Sequence, residues 1–96
     1  MASGQKFSNP WVKIFAKDGA NKTPRVGIPL SSKDFKLAVD RNRARRLVAS
    51  AIQPLYPRLK DGLNLIVMPK PLVLGISPAD LSKQLEELFV KSKLLR

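Results

Sequence analysis

The chain is 96 residues long and 44% apolar, enough for one domain with a modest core and too apolar for an unstructured basic tail. Its 18 Lys and Arg against 7 Asp and Glu give a formal charge of +11, an excess that favours a polyanionic partner. With neither cysteine nor histidine, disulfides, thiolate chemistry, the usual zinc sites and the commonest general base are excluded.

Residues 1–96 read as a single domain. Residues 1–9 read as flexible, with no apolar run long enough for secretion, and no later stretch is long enough to span a bilayer. A soluble cytoplasmic protein with no membrane partner is expected. From residue 11 the chain alternates as a strand does, with Val12, Ile14 and Ala16 on one side and Trp11, Lys13, Phe15 and Lys17 on the other. Residues 19–24 form a turn or short loop. A second strand follows over 25–31, with Val26, Ile28 and Leu30 on one face and Pro29 marking an edge or irregular position.

After a polar link, a helix is predicted to start near Asp40, with a cap further upstream also compatible with the sequence. Ala44, Leu47, Val48, Ala51, Ile52 and Leu55 recur at helical spacing and form one apolar stripe, which Pro54 and Pro57 loosen or end. A Lys-Asp-Gly turn precedes a short buried strand over 63–69, and 70–76 reads as extended or looped. The last helix has the clearest start: Ser77 at the cap, Pro78 in the first turn and Asp80 beyond it. Leu81, Leu85, Leu88 and Phe89 make its buried stripe. Two helices and at least three strands without a repeat or linker describe a small α+β unit.

Arginine fills four of the six positions 41–46. A run of cations on a helix is most often a solvated face, but such faces usually mix signs, and nothing acidic follows Asp40 for two turns. Arg43 and Arg46 fall opposite the stripe, Asn42 beside them and Arg45 nearer its flank. Like charges this close repel by a few tenths of a kcal/mol per pair, roughly, and a polyanion reverses that cost. The guanidinium fork suits phosphate oxygens, and the Asn42 amide can both donate and accept. The seven carboxylates, by contrast, form no plausible pair across an enclosed site, so no catalytic and no metal-ligating residue is assigned to the chain.

Residues 25–46 resemble the protein subunit of bacterial ribonuclease P, in which a strand leads through a Ser-Lys-Lys link into an Ala-Val-x-Arg-Asn-Arg helix. Ser31 and Lys33 match the link, Ala38 and Val39 the approach, and Arg41, Asn42, Arg43 and Arg46 the signature; the likeness continues through 62–71 into the final helix. The resemblance implies a split β-α-β fold with a left-handed crossover, related to the second domain of ribosomal protein S5. It implies an accessory subunit of a ribonucleoprotein endoribonuclease, assisting a catalytic RNA that removes the 5′ leader of precursor tRNA. Its partners would be the ribonuclease P RNA and precursor tRNA, with no DNA expected. Its cofactor would be magnesium, bound mainly by the RNA. Arg41, Asn42, Arg43, Arg45 and Arg46, extended by Lys33 and Lys36, would face the catalytic RNA. Trp11, Lys13, Phe15, Lys17 and Ser31 would serve the leader.

Several positions depart from the family pattern. Arg45 stands where the family usually has lysine, Ser32 replaces a lysine, and Ala49, Ser50 and Gln53 fall where Arg, Glu and Arg are frequent, so the basic helix ends a turn early. The family normally opens with a helix before the first strand, and this chain begins about where that helix ends, so half of the leader cleft is expected to be missing. Trp11 and Phe15 are then either ordinary core or a stacking surface for single-stranded RNA with lysines alongside. The competing expectation is a ribosomal or other structural RNA-binding protein without a role in cleavage. A DNA reader is weaker, because no helix-turn-helix pair surrounds the basic helix.

Overall fold

The computed structural model describes residues 4–19 and 22–95. Four strands, β1 (Gln5–Ser8), β2 (Val12–Asp18), β3 (Arg25–Gly27) and β4 (Leu63–Pro69), form one sheet in the order β1-β2-β4-β3. β2 pairs antiparallel with both β1 and β4, whereas β3 runs parallel to β4. A parallel pair cannot be joined by a tight turn, so the chain between β3 and β4 crosses over through helix α1 (Ala38–Ile52). Helix α2 (Pro78–Lys91) follows β4 and packs against α1.

β1 corrects the expectation that residues 1–9 are loose: Gln5–Ser8 pairs with β2 in full register, while residues 1–3 lie outside the described chain. Its hairpin is set by Asn9, whose side-chain oxygen accepts from the backbone N–H groups of Trp11 at 3.0 Å and Val12 at 2.8 Å. The strand around Val26 is shorter than expected, ending at Gly27, and it takes the sheet edge that Pro29 anticipated. Gly62 closes the turn before β4 with a φ of 76°, a conformation that a side chain would strain. Residues Pro71–Gly75 form a short 3-10 helix rather than an extended segment.

α1 begins at Ala38, two residues before the expected start, and its N-cap Leu37 makes no side-chain capping bond. Asp40 therefore sits in the first turn, where a carboxylate suits the positive end of the helix dipole. α2 begins as its sequence demands, with Ser77 Oγ accepting from the Asp80 N–H at 3.2 Å. The core lies between the helices and one face of the sheet. Val12, Ile14, Ala16, Leu63, Leu65 and Val67 supply the strand side; Ala44, Val48, Ala51 and Ile52 come from α1, and Leu81, Leu85 and Phe89 from α2. Leu47 and Leu88 only half join it. Among the described residues no polar or charged side chain is buried, so the charge of the chain lies at its surface.

Candidate nucleic-acid interface

The stripe that buries Ala44, Val48, Ala51 and Ile52 fixes the rotation of α1, and that rotation decides what each arginine can do. Asn42, Arg43, Arg45 and Arg46 are exposed. Among the described residues Arg58 forms an ion pair with Glu86, far along the chain, and no carboxylate lies within ion-pair distance of Arg43, Arg45 or Arg46. Three unpaired guanidinium groups thus project from a helix anchored along its other side, a rigid cationic surface with its donors free.

Arg41 behaves differently. It lies seven residues before Val48, about 20° from it around the helix, and so points along the buried stripe rather than away from it. Its Nη1 donates to the Phe35 carbonyl at 2.7 Å and, at longer range, to the Lys36 carbonyl at 3.4 Å. Phe35 itself is buried in the core. These bonds tie the 31–37 link to the first turn of α1, a structural role for Arg41 beside the phosphate contact expected of it. Within that link the Lys33 N–H donates to Ser31 Oγ at 3.2 Å, and the Phe35 N–H donates to the Ser31 carbonyl at 2.9 Å. This turn presents Lys33 and Lys36, both exposed, beside the start of the arginine face. Ser31 belongs to this turn and not to the strand surface with which it was grouped.

The helices cover one face of the sheet and leave the other open. The register places Lys6 opposite Phe15, Ser8 opposite Lys13, Ile66 opposite Phe15, Met68 opposite Lys13, and Asn64 between Lys17 and Arg25, all on the outer face. Phe15, Ile66 and Met68 are each about two-fifths exposed there. Lys6 Nζ stands 5.2 Å from the Phe15 ring centroid. Gly4 lies so close that a Cβ on it would come within 2.8 Å of the ring. Four cations and no carboxylate project outward from these strands, surrounding an apolar centre.

Trp11 is not part of this surface. β2 starts only at Val12, and the bend at Asn9 and Pro10 breaks the alternation, so the indole packs half-buried against the core near Ile76, Asp80 and Gln84 at the start of α2. Of its two readings, core applies to Trp11, and Phe15 is the exposed ring. Lys6, Arg25, Ile66 and Met68 join this surface although the sequence reading does not place them there. The outward parity of 63–69 marks Ile66 and Met68, but Lys6 becomes visible only once residues 5–8 are recognised as a strand.

A family model described as Ribonuclease P matches residues 1–93. Two similar proteins, each named ribonuclease P protein component, come from Pseudanabaena sp. and Symbiobacterium thermophilum. The first is 30% identical over 98% of this chain and 82% of its own length, the second 35% identical over 99% and 83%. Among solved structures, the ribonuclease P protein of Staphylococcus aureus superposes with a TM-score of 0.79, covering 97% of this chain and 84% of that one at 18% identity. That of Thermotoga maritima gives 0.76, covering 90% and 81% at 19% identity. At such identities the superpositions establish a shared fold, and it is the split β-α-β arrangement expected from the resemblance.

Proposed function

The chain belongs to the ribonuclease P protein family, and on that premise we propose how its two basic surfaces divide the work of a subunit that acts with RNA to process precursor tRNA. Asn42, Arg43, Arg45 and Arg46, with Lys33 and Lys36 held beside them by the Arg41 clamp, engage phosphates of the catalytic RNA. The outer sheet face, with Phe15 at its centre and Lys6, Lys13, Lys17 and Arg25 around it, receives the single-stranded 5′ leader. Stacking on the ring and contact with the lysines require no particular sequence, as a subunit serving many precursor tRNAs requires.

The observation that carries this reading is the unneutralised arginine face on an anchored helix. Cations so placed lower repulsion between two RNAs and favour their association. Catalysis in this family is RNA-borne and magnesium-dependent. Among the described residues no three His, Cys, Asp or Glu side chains group as a metal site. We assign the ion to RNA phosphates, and the protein acts on it only by reducing the repulsion around them. The ribosomal or structural alternative gives way to the family match.

The test is a salt titration of binding. Each lost phosphate contact lowers the slope of log K against log salt by about 0.7–0.9. Arg43→Ala/Arg46→Ala should therefore weaken binding to the catalytic RNA and flatten the slope by close to two contacts. An unchanged slope would remove the arginine face from the interface.

A further inference from the structure

Beyond these two surfaces, a groove of about 680 Å³ runs between the edge strand β3 and the C-terminal half of α1, on the helical side of the sheet. Val26 and Ile28 line it from the strand side, and Arg46, Ser50 and Gln53 line it from the helix side. Tyr56 closes one end. Its hydroxyl donates to the Pro24 carbonyl at 2.6 Å, which fixes the ring while 40% of the residue stays exposed. The helix side is low because Ala49 and Ser50 are small.

We propose that this groove is a slot for one unpaired nucleobase of the catalytic RNA, with the adjoining phosphate held by Arg46. The inference rests on the assignment of the α1 arginine face to that RNA. A base is flat and apolar on its faces and carries donors and acceptors on its edge. The groove offers the same division: aliphatic side chains and a fixed ring for the faces, the Ser50 hydroxyl and Gln53 amide for the edge. Arg46 has no carboxylate partner among the described residues, so its charge is available to a phosphate. A ring already immobilised by its own hydrogen bond stacks without further ordering cost. Sequence-specific recognition of RNA uses such unpaired bases, because pairing occupies the Watson–Crick edges and the deep, narrow major groove hides the rest of the code. The slot thus adds a contact that selects a feature of the RNA, where the arginines alone read only its charge.

The chain has no cysteine, so Ser50→Cys gives a single attachment point for an aryl azide inside the groove. In the assembled ribonucleoprotein, photolysis should crosslink it to one unpaired nucleotide of the catalytic RNA, mapped by primer extension. Crosslinks confined to precursor tRNA, or spread over paired nucleotides, would overturn the proposal. Independently, Ala49→Leu/Ser50→Leu fills the groove from exposed positions with a strong helix former. It should weaken binding of the catalytic RNA about tenfold, the scale of one lost base stack, with no change in salt slope because no charge is removed. Undiminished affinity defeats the slot. Arg43→Ala, which lies outside the groove, reports on the premise: if it alters neither affinity nor slope, the arginine-face assignment fails. If it weakens binding while the leucine pair is neutral, only the slot fails.

Discussion

Replacing Arg41 with Ala separates a clamp from a phosphate ligand, two roles that look alike in the sequence. The bond from its guanidinium to the Phe35 carbonyl, 2.7 Å long, is charge-assisted. Bonds of this kind contribute about 1.5–3 kcal/mol, and the partial exposure of Arg41 puts this one at the lower end. Removing one cation from a crowded cluster returns a few tenths of a kcal/mol, roughly. The net expectation is a loss of about 1 kcal/mol, which in a domain of this size lowers the thermal midpoint by about 4–8 °C. Arg43→Ala removes the same charge from an exposed position and should stay within about 0.5 kcal/mol of the parent. Thermal unfolding followed by circular dichroism distinguishes them. Binding gives the second readout. If Arg41 acts by holding the link, its loss and the loss of Lys33 and Lys36 overlap, and a double-mutant cycle should show a coupling of about 0.5–3 kcal/mol. An unchanged midpoint together with strictly additive losses in RNA affinity would refute the clamp and return Arg41 to the phosphate-binding set.

Phe15→Ala should cost about 1–2 kcal/mol of stability, because the ring is only about two-fifths exposed, and should weaken binding of 5′-extended precursor tRNA by about 1–3 kcal/mol while sparing mature tRNA. Equal losses for both RNAs, measured on the holoenzyme, would remove the sheet face from leader binding. Ser77→Ala removes the α2 cap and should cost about 1 kcal/mol of stability with no effect on RNA affinity. Leu85→Ala, at a fully buried position between helices and sheet, should cost about 2–5 kcal/mol by equilibrium denaturation.

How much of this was legible in the sequence differs residue by residue. The α1 stripe was, because six apolar positions share one helical period, and Ser77 marked α2 by local chemistry alone. The same period contained the exception at Arg41: extending the stripe one turn back from Ala44 and Val48 reaches it, so its inward direction could have been read. β1 has only a weak signature, because Gln5–Ser8 has one large apolar residue, Phe7, and the Asn-Pro pair at 9–10 alone marks the hairpin turn. Strand alternation does not carry across that turn, so Trp11 packs against the core instead of sharing the face of Phe15. The β3–α1 groove has no local signature. Its strand side and Tyr56 are about thirty residues apart and meet only because β3 pairs parallel to β4 and the Tyr56 hydroxyl reaches Pro24.

In the proposed division of surfaces, the exposed arginine face of α1 joins this subunit to the catalytic RNA in precursor tRNA processing. The direct measurement is the 5′-cleavage rate of precursor tRNA by a bacterial ribonuclease P RNA at low magnesium, with no protein, with the parent chain and with Arg43→Ala/Arg46→Ala. The parent should stimulate cleavage, and the double variant should largely lose that stimulation while its fold and thermal midpoint are retained. Full stimulation by a folded double variant would contradict it.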